Sequence, residues 1–452
     1  MARIYPFRAW RYNPSAVHLH DVVTQPYDKI TPAMQQGYYQ RSPYNLVRII
    51  LGLPELFDAE RGESVYTRAA RDFRAWREEG VLVQEKEPCV LAYAQRFTVP
   101  GTRSIKERRG FIALGRLHEY AEQVVFRHEQ TLAKPKSDRL NLLRATRGHF
   151  GQIFMLYSDP AGTVETMLFD DSGPAEVEVT DEHGVVHRIW RVSDPATIRL
   201  LTTAMADKKL IIADGHHRYE TALHYMREHT AAQARQETST AQLPHPPYPE
   251  AAAMMTFVNM DTDGLVILPT HRVVHGVDGF DATAFLKSAG EFFAVEPVPA
   301  QDADGLLSML RWESGTAFVA VTREGDFLLR LKPETAAAAL HDVPERRRQL
   351  DLTHLHALVL ERLLGLDAEK MREQTNIRYL RDAAEVVDQV RPATAGRPTT
   401  ADRRGAAQIG FLTNPVTIEQ LREVAFAGEV MPQKSTDFFP KLLSGLAIYA
   451  LD

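Results

Sequence analysis

Ile212-Ala213-Asp214-Gly215-His216-His217-Arg218-Tyr219-Glu220-Thr221 is the stretch on which the reading of this chain turns. The apolar run Leu210 to Ala213 stops at Asp-Gly. Two histidines and an arginine follow, and then good helix formers with apolar residues at Ala222, Leu223 and Met226. That order predicts a strand, a tight turn and a helix whose first turn carries donors. A helix N-terminus presents N–H groups without intrahelical acceptors and a partial positive charge, so it is a natural seat for an anion. His216, His217 and Arg218 at that seat suit a phosphate, and Asp214 adds a carboxylate able to hold a metal or a hydroxyl beside it. Asp and Gly are also ordinary turn and cap residues, and surface His and Arg are common. Four consecutive side chains of functional type, directly after a buried-looking strand, favour the site over that plainer account.

Outward from this stretch the periodicities predict an α/β chain. Upstream, Thr31 before Pro32 has the pattern of an N-cap followed by Pro at the first helical position, with a helix to about Arg41. Leu46 to Leu51 reads as a strand, and Glu60 to Glu79 as an amphipathic helix with Tyr66, Ala69, Phe73 and Trp76 on one face. Strands are expected at 89–98 and 110–116 around a basic turn Arg103 to Arg109, then a helix Asp138 to Thr146 and a strand Gln152 to Tyr157. Strand-like pieces at Val177–Val179 and Val185–Trp190 and a helix after Pro195 lead to the opening stretch. Downstream, strands are expected at Met254–Asn259, Leu265–Leu268 and Gln408–Leu412, and helices at Asp281–Phe293 and Thr417–Ala427. Residues 231–250 and 391–404 read as polar, proline-bearing connections. The expected organisation is a core over 1–250, an α+β domain over 251–390, and a segment 391–452 that packs back on the core through the apolar run Leu442 to Leu451.

Composition narrows the function classes. The 452 residues, 44% hydrophobic and 25% charged, suffice for two or three domains. A net charge of −6, from 53 basic and 59 acidic residues, is not the footprint of a nucleic-acid binder. The lone Cys89 excludes an intrachain disulfide and a thiolate metal cluster, which suits a reducing cytoplasm. No apolar run of membrane-spanning length and no secretory leader is expected. HExxH, G-x-S-x-G and G-x-G-x-x-G patterns do not occur, so zinc hydrolase, serine esterase and Rossmann readings lack support.

Other polar groups join the first. Arg127-His128-Glu129 places a cation and two bases within three residues, which converge on a ligand if the segment is a loop and splay apart if it is regular. Pro269-Thr270-His271-Arg272 follows a strand, where α/β sheets collect ligands. Gln433-Lys434-Ser435-Thr436 with Lys441 offers two cations and two hydroxyls to phosphate without the glycines of a P-loop. His354 and His356 fall on a helical apolar pattern and read as packed histidines.

Taken together, Pro26-Tyr27-Asp28, Ser42-Pro43-Tyr44-Asn45, Arg127-His128-Glu129, Ala213 to Glu220, Leu268 to Arg272 and Met431 to Thr436 resemble the family catalogued as domain of unknown function 1015. The Asp214 to Arg218 box is also similar to the phosphate-binding turn of the ParB/sulfiredoxin-like superfamily, and closely to its free-serine kinase branch. That resemblance implies a mixed-sheet nucleotide-binding core and a kinase acting on a small hydroxyl metabolite, with free L-serine the first choice. It implies Asp214 and His217 around the metal and the transferred phosphoryl, with Gly215, His216 and Arg218 on phosphate. A separate glutamate would activate the hydroxyl: Glu129, with Asp28 second. Lys434, Ser435 and Thr436 would close over phosphates. Arg127, His128, His271 and Arg272 would contact the substrate, the arginines through its carboxylate. ATP or ADP with Mg²⁺ held by Asp214 would be the cofactors, with no nucleic acid or membrane partner and a homodimer left open. Two other classes use the same cradle: a nucleotide-sensing regulator, and a phosphoester hydrolase with water as nucleophile.

Overall fold

The computed structural model describes residues 1–452 except 56–61, 132, 171, 230–242 and 392–405. Most of the expected connection 231–250 and nearly all of 391–404 therefore lie outside the described residues. The chain divides into two compact units, residues 1–266 with 440–452, and residues 267–439.

The first unit is an α/β body on a nine-stranded mixed sheet. Its strands are β1 (Ile4–Tyr5), β2 (Val90–Thr98), β3 (Ile105–Arg116), β4 (Val125–Phe126), β5 (Ile153–Tyr157), β6 (Val177–Thr180), β7 (Val186–Val192), β8 (Leu210–Asp214) and β9 (Ala252–Asn259). The order is β4-β8-β5-β9-β3-β2-β7-β6, with β1 on β3. β8 runs parallel to β4 and β9 parallel to β5, while the remaining pairs are antiparallel. Strands buried on both faces read as continuous apolar runs rather than alternations, and Ile153 to Tyr157 and Leu210 to Ala213 are such runs.

Helices α1 (Pro32–Arg41), α2 (Val65–Glu78), α3 (Ala133–Thr146), α4 (Pro195–Met205) and α5 (His216–His229) surround this sheet. Thr31 caps α1, its hydroxyl accepting from the Met34 N–H at 3.3 Å, with Pro32 at the first position, as the sequence predicts. One core cluster joins the sheet residues Phe111, Met155, Ile212 and Phe257 to Leu201 and Met205 of α4 and to Tyr219, Ala222 and Leu223 of α5. A second gathers Phe73 and Trp76 of α2 and Leu142 of α3 around Leu46, Ile49, Phe150 and Ile448.

Two local expectations need correction. Leu46–Leu51 is not a strand: Val47–Ile50 is a helical turn. The Asn45 side chain accepts from the Val47 N–H at 3.0 Å and donates to the Asp21 carbonyl at 2.8 Å, and this Asx turn leads into a helix where β-branched residues alone suggested extension. The basic stretch 103–109 is only partly a turn, because β3 begins at Ile105.

The second unit carries a six-stranded antiparallel sheet of β10 (His271–His275), β11 (Phe293–Val298), β12 (Ala317–Val321), β13 (Asp326–Leu331), β14 (Ile377–Leu380) and β15 (Ala407–Leu412), in the order β11-β13-β12-β15-β10-β14. The helices Ala303–Arg311 and Ala383–Val390 pack Leu306, Leu310, Val386 and Val390 on Val273, Val319 and Leu328. A π-helix spans Leu355–Leu363, and His354 and His356 are buried there as packed residues. His271 and Arg272 follow a short strand that ends at Leu268, as expected, and themselves open β10, where both are buried. Among the described residues no helix is long and apolar enough to cross a membrane.

Candidate functional site

The strand–turn–helix of the opening stretch is present: β8 ends at Asp214, Gly215 turns the chain, and α5 starts at His216. A register shift between Ile212 and Asp214 puts a bulge at the end of β8, a device that re-aims a side chain at a sheet rim. Gly215 has φ +94°, and a Cβ there would come within 3.0–3.1 Å of the Arg218 guanidinium. Glycine is required twice over, for the backbone sign and for the arginine lying against it.

Asp214 is the hub. One carboxylate oxygen accepts from the Gly215 N–H at 2.8 Å. The other faces Lys441 Nζ at 3.6 Å and Arg218 Nη2 at 3.9 Å, the carboxylate remaining 23% exposed. Burial pushes its carboxyl up, but Lys441, Arg218, Lys29 and His216 together outweigh that and hold it well below the usual carboxylate range. It is ionised at any physiological pH. Arg218 also donates to the Gln152 carbonyl, which fixes the guanidinium between β5 and the turn.

Two buried side chains set the position of Lys441. Gln95 donates to the Lys441 carbonyl at 2.9 Å, and Arg108 donates to the Pro440 carbonyl at 2.5 Å while its guanidinium stacks 4.7 Å from the Phe154 ring centroid. Arg108 also donates from Nε to Gln95 at 3.0 Å.

Behind the turn, His216 is buried. Its ring meets the edge of His128 at 4.7 Å between centroids and accepts from the His128 backbone N–H at 3.4 Å. Burial drives His128 down to about 3 and His216 down to about 4, so both rings are neutral. The His216 ring thus faces the protein, and what this residue offers an anion is its place in the first helical turn. Arg127, His128 and Glu129 do lie on a loop, after β4. Arg127 reaches Glu220 at 3.4 Å and covers the Tyr120 ring at 4.9 Å. Glu220 also accepts from Thr131 at 2.6 Å and Lys136 at 3.0 Å. Glu129 and His217 are half-buried, and Asp28 is exposed on the short turn Tyr27–Lys29.

Beside Arg218 opens a pocket of about 570 Å³, its mouth included, lined by Pro26, Tyr27, Leu142, Phe150, Gly151, Arg218, Thr221 and Ser444 among others. Arg139 stacks 4.2 Å from the Tyr27 ring centroid on this wall. Thr221 is buried, and its hydroxyl has no hydrogen-bond partner among the described residues.

The first unit therefore brings together Asp214, Gly215, His216, His217 and Arg218, and couples His128 electrostatically to both Glu129 and Asp214. His271, Arg272, Lys434, Ser435 and Thr436 belong to the second unit. There Ser435 donates to the Pro432 carbonyl at 2.6 Å, and Lys434 takes a left-handed φ of +56°. Sequence reasoning set Lys441 beside residues 433–436 and did not foresee its ion pair with Asp214. Nor did it find Gln95, Arg108 or Thr221. The Lys441 signal was the apolar run after it, the mark of a packed segment.

A family model described as "Protein of unknown function (DUF1015)" matches residues 4–353. The chain belongs to the DUF1015 family. The match takes in every motif of the first unit named above, while the DUF1015 match ends before Met431 to Thr436. No curated protein matches the chain. Among solved structures, a variant free serine kinase in complex with AMP is similar at 12% identity and TM-score 0.33, over 70% of this chain and 84% of that one. A conserved hypothetical protein from Pyrococcus furiosus is similar at 13% identity and TM-score 0.31, over 71% and 89%. SbnI from Staphylococcus aureus, truncated at its C-terminus, is similar at 10% identity and TM-score 0.32, over 74% and 85%.

Proposed function

We propose that the first unit is a nucleotide-dependent phosphotransferase acting on a small hydroxyl metabolite, with free L-serine the first acceptor to test. The observation that carries this is the Asp214 hub: an ionised carboxylate on a bulged strand end, at the start of a 14-residue helix, with Lys441 and Arg218 within 4 Å. Phosphoryl transfer needs cations on the phosphate oxygens, fixed N–H dipoles and a placed acceptor more than it needs covalent help. Lys441, Arg218 and the first turn of α5, with Gly215, His216 and His217, supply the first two. An arriving phosphate competes with Asp214 for the two cations and frees that carboxylate.

Mg²⁺ fits this arrangement in one way. Among the described residues no three His, Cys, Asp or Glu side chains cluster, so a cage made by the protein alone is absent. Mg²⁺ commonly takes one carboxylate and the substrate's phosphates, and Asp214 is that carboxylate. When bound, the metal neutralises phosphate charge. In the transfer, the acceptor hydroxyl oxygen bonds to the terminal phosphorus, the bridging P–O bond to the nucleotide breaks, and the hydroxyl proton passes to Glu129, with Asp28 the second candidate. His217 is the candidate contact of the transferred group and Arg127 of the acceptor, while His128, buried against His216, supports the loop that carries Glu129.

The test is direct. ATP or ADP, Mg²⁺ and L-serine are incubated with the protein and O-phosphoserine is measured. Product is expected, and Asp214→Ala should abolish it. If a panel of hydroxyl amino acids and sugars gives no phosphorylated compound with either nucleotide, the reading fails.

A further inference from the structure

The second unit, taken alone, holds a fully buried cation, Arg272, whose guanidinium lies 5.4 Å from the Tyr379 ring centroid. Arg272 lies on β10, paired across the sheet with Tyr379 of β14 and Phe411 of β15, on a face where an aliphatic side chain would pack. Its exposure is 0%, yet among the described residues it has no carboxylate partner. Three more exposed arginines of this unit show the usual solution. Arg330 pairs with Glu313, Arg381 with Asp437 and Arg391 with Asp326, at 2.6–2.9 Å. Burying a guanidinium without a counter-ion forfeits its hydration, a penalty that an apolar methionine there would not carry.

The guanidinium is also unevenly satisfied. Nη1 donates to the Thr270 carbonyl next door. Nη2 reaches only outlying acceptors: the Lys434 carbonyl at 3.2 Å, His356 Nε2 at 3.4 Å and the Gln433 carbonyl at 3.5 Å. Nε has no partner. Nε and Nη2 form the side-on edge that receives both oxygens of a carboxylate or phosphate. Burial pulls this guanidinium down to about 10, as expected for a cation lacking an anion.

The groups bordering that edge are unusual. His356 sits in the π-helix Leu355–Leu363, a rare conformation that recurs at functional sites. The two carbonyls come from the loop Met431 to Thr436, where Lys434 adopts a left-handed backbone that non-glycine residues seldom take. Ser435 Oγ to the Pro432 carbonyl holds that turn.

The geometry points to Arg272 as the core of an oxyanion receptor within the second unit, its side-on edge taking a small carboxylate or phosphate in place of the Gln433 and Lys434 carbonyls, with His356 alongside. This goes beyond phosphotransfer at Asp214 and does not depend on it.

Thermal melting of the full chain tests it, at constant ionic strength, with inorganic phosphate and with L-lactate as a carboxylate probe. At least one probe should raise the melting temperature saturably, by several degrees, in the unmodified chain and in Arg218→Met. The rise seen in Arg218→Met should vanish when Arg272→Met is added to it, and Arg272→Met alone should melt no lower than the unmodified chain. A response to phosphate alone or to lactate alone supports the receptor and names its ligand class. An equal rise in Arg218→Met with and without Arg272→Met, or no rise with either probe, overturns it. Should Arg272→Met fail to fold, crystals of the unmodified chain soaked in each probe decide. An anion within hydrogen-bond distance of Arg272 Nε supports the receptor, and its absence refutes it.

Discussion

The central carboxylate sits among cations, and that sets what its removal does. Asp214→Asn keeps the shape but leaves Lys441 and Arg218 facing each other without the charge between them. With the site partly exposed, a loss of about 1–3 kcal/mol is expected by denaturant titration. The same change makes the cradle more positive, so inorganic phosphate should bind more tightly to Asp214→Asn while phosphotransfer disappears. Weaker phosphate binding by isothermal calorimetry would contradict the arrangement proposed for Lys441 and Arg218. The buried histidines make a second prediction at this scale. His128 and His216 titrate near 3 and 4 in the folded chain, below the value of about 6.5 expected when unfolded. The unfolded chain therefore binds protons first as pH falls. The stability from their neutral burial is complete above about pH 6.5 and is lost on descending towards pH 4, at up to about 1.4 kcal/mol per pH unit for each ring. His128→Gln, which cannot titrate, should show a shallower decline over that window. Parallel pH profiles for the two proteins would exclude the pair as a source of acid sensitivity.

One element, the strand–turn–helix 210–229, ties the sheet to the site, and its hinge is a single glycine. Gly215→Ala forces an L side chain into φ +94° and drives a methyl group to within 3.1 Å of the Arg218 guanidinium. The backbone term alone is about 1–2 kcal/mol. The displaced arginine should weaken phosphate binding as well, so stability and binding are expected to fall together. Loss of stability with unchanged phosphate affinity would show that Arg218 is not part of the cradle. This element was legible because its signals are local: an apolar run for the strand, Asp-Gly for the turn, and helix formers with apolar spacing after it. Thr31-Pro32 was legible for the same reason. Leu46 to Leu51 misled because its helical turn is imposed by the Asn45 side chain, which bonds both forward to Val47 and back to Asp21 across 24 residues. That His271 and Arg272 themselves open a strand was not readable, because Pro269 ends one strand and nothing in the sequence says that the next begins two residues later.

At the scale of the molecule, the site is completed by a segment remote in sequence. Residues 440–452 belong to the first unit, although residues 267–439 separate them from the rest of it. Thr24 pairs with Ser444, Trp10 with Ile448 and His149 with Tyr449, and the return sets Lys441 against Asp214. Periodicity revealed that the segment packs, but pairing over more than 200 residues leaves no local trace, so the partner of Lys441 was not readable. The return can be tested in two parts. Lys441→Met removes the cation and leaves the packing, so it should keep the fold and lose phosphate affinity. Removing residues 442–452 strips Leu442, Leu443, Leu446, Ala447, Ile448 and Leu451 from the core, all of them buried. At about 1.5–3 kcal/mol for each large apolar side chain, that loss matches or exceeds the whole stability of an ordinary domain, about 5–15 kcal/mol. The first unit should then fail to fold, which circular dichroism and limited proteolysis will detect as lost protection of residues 1–266. If the shortened protein instead keeps a cooperative transition and full protection there, the C-terminal return is an accessory to the first unit rather than part of its core, and the placement of Lys441 cannot depend on the packing described.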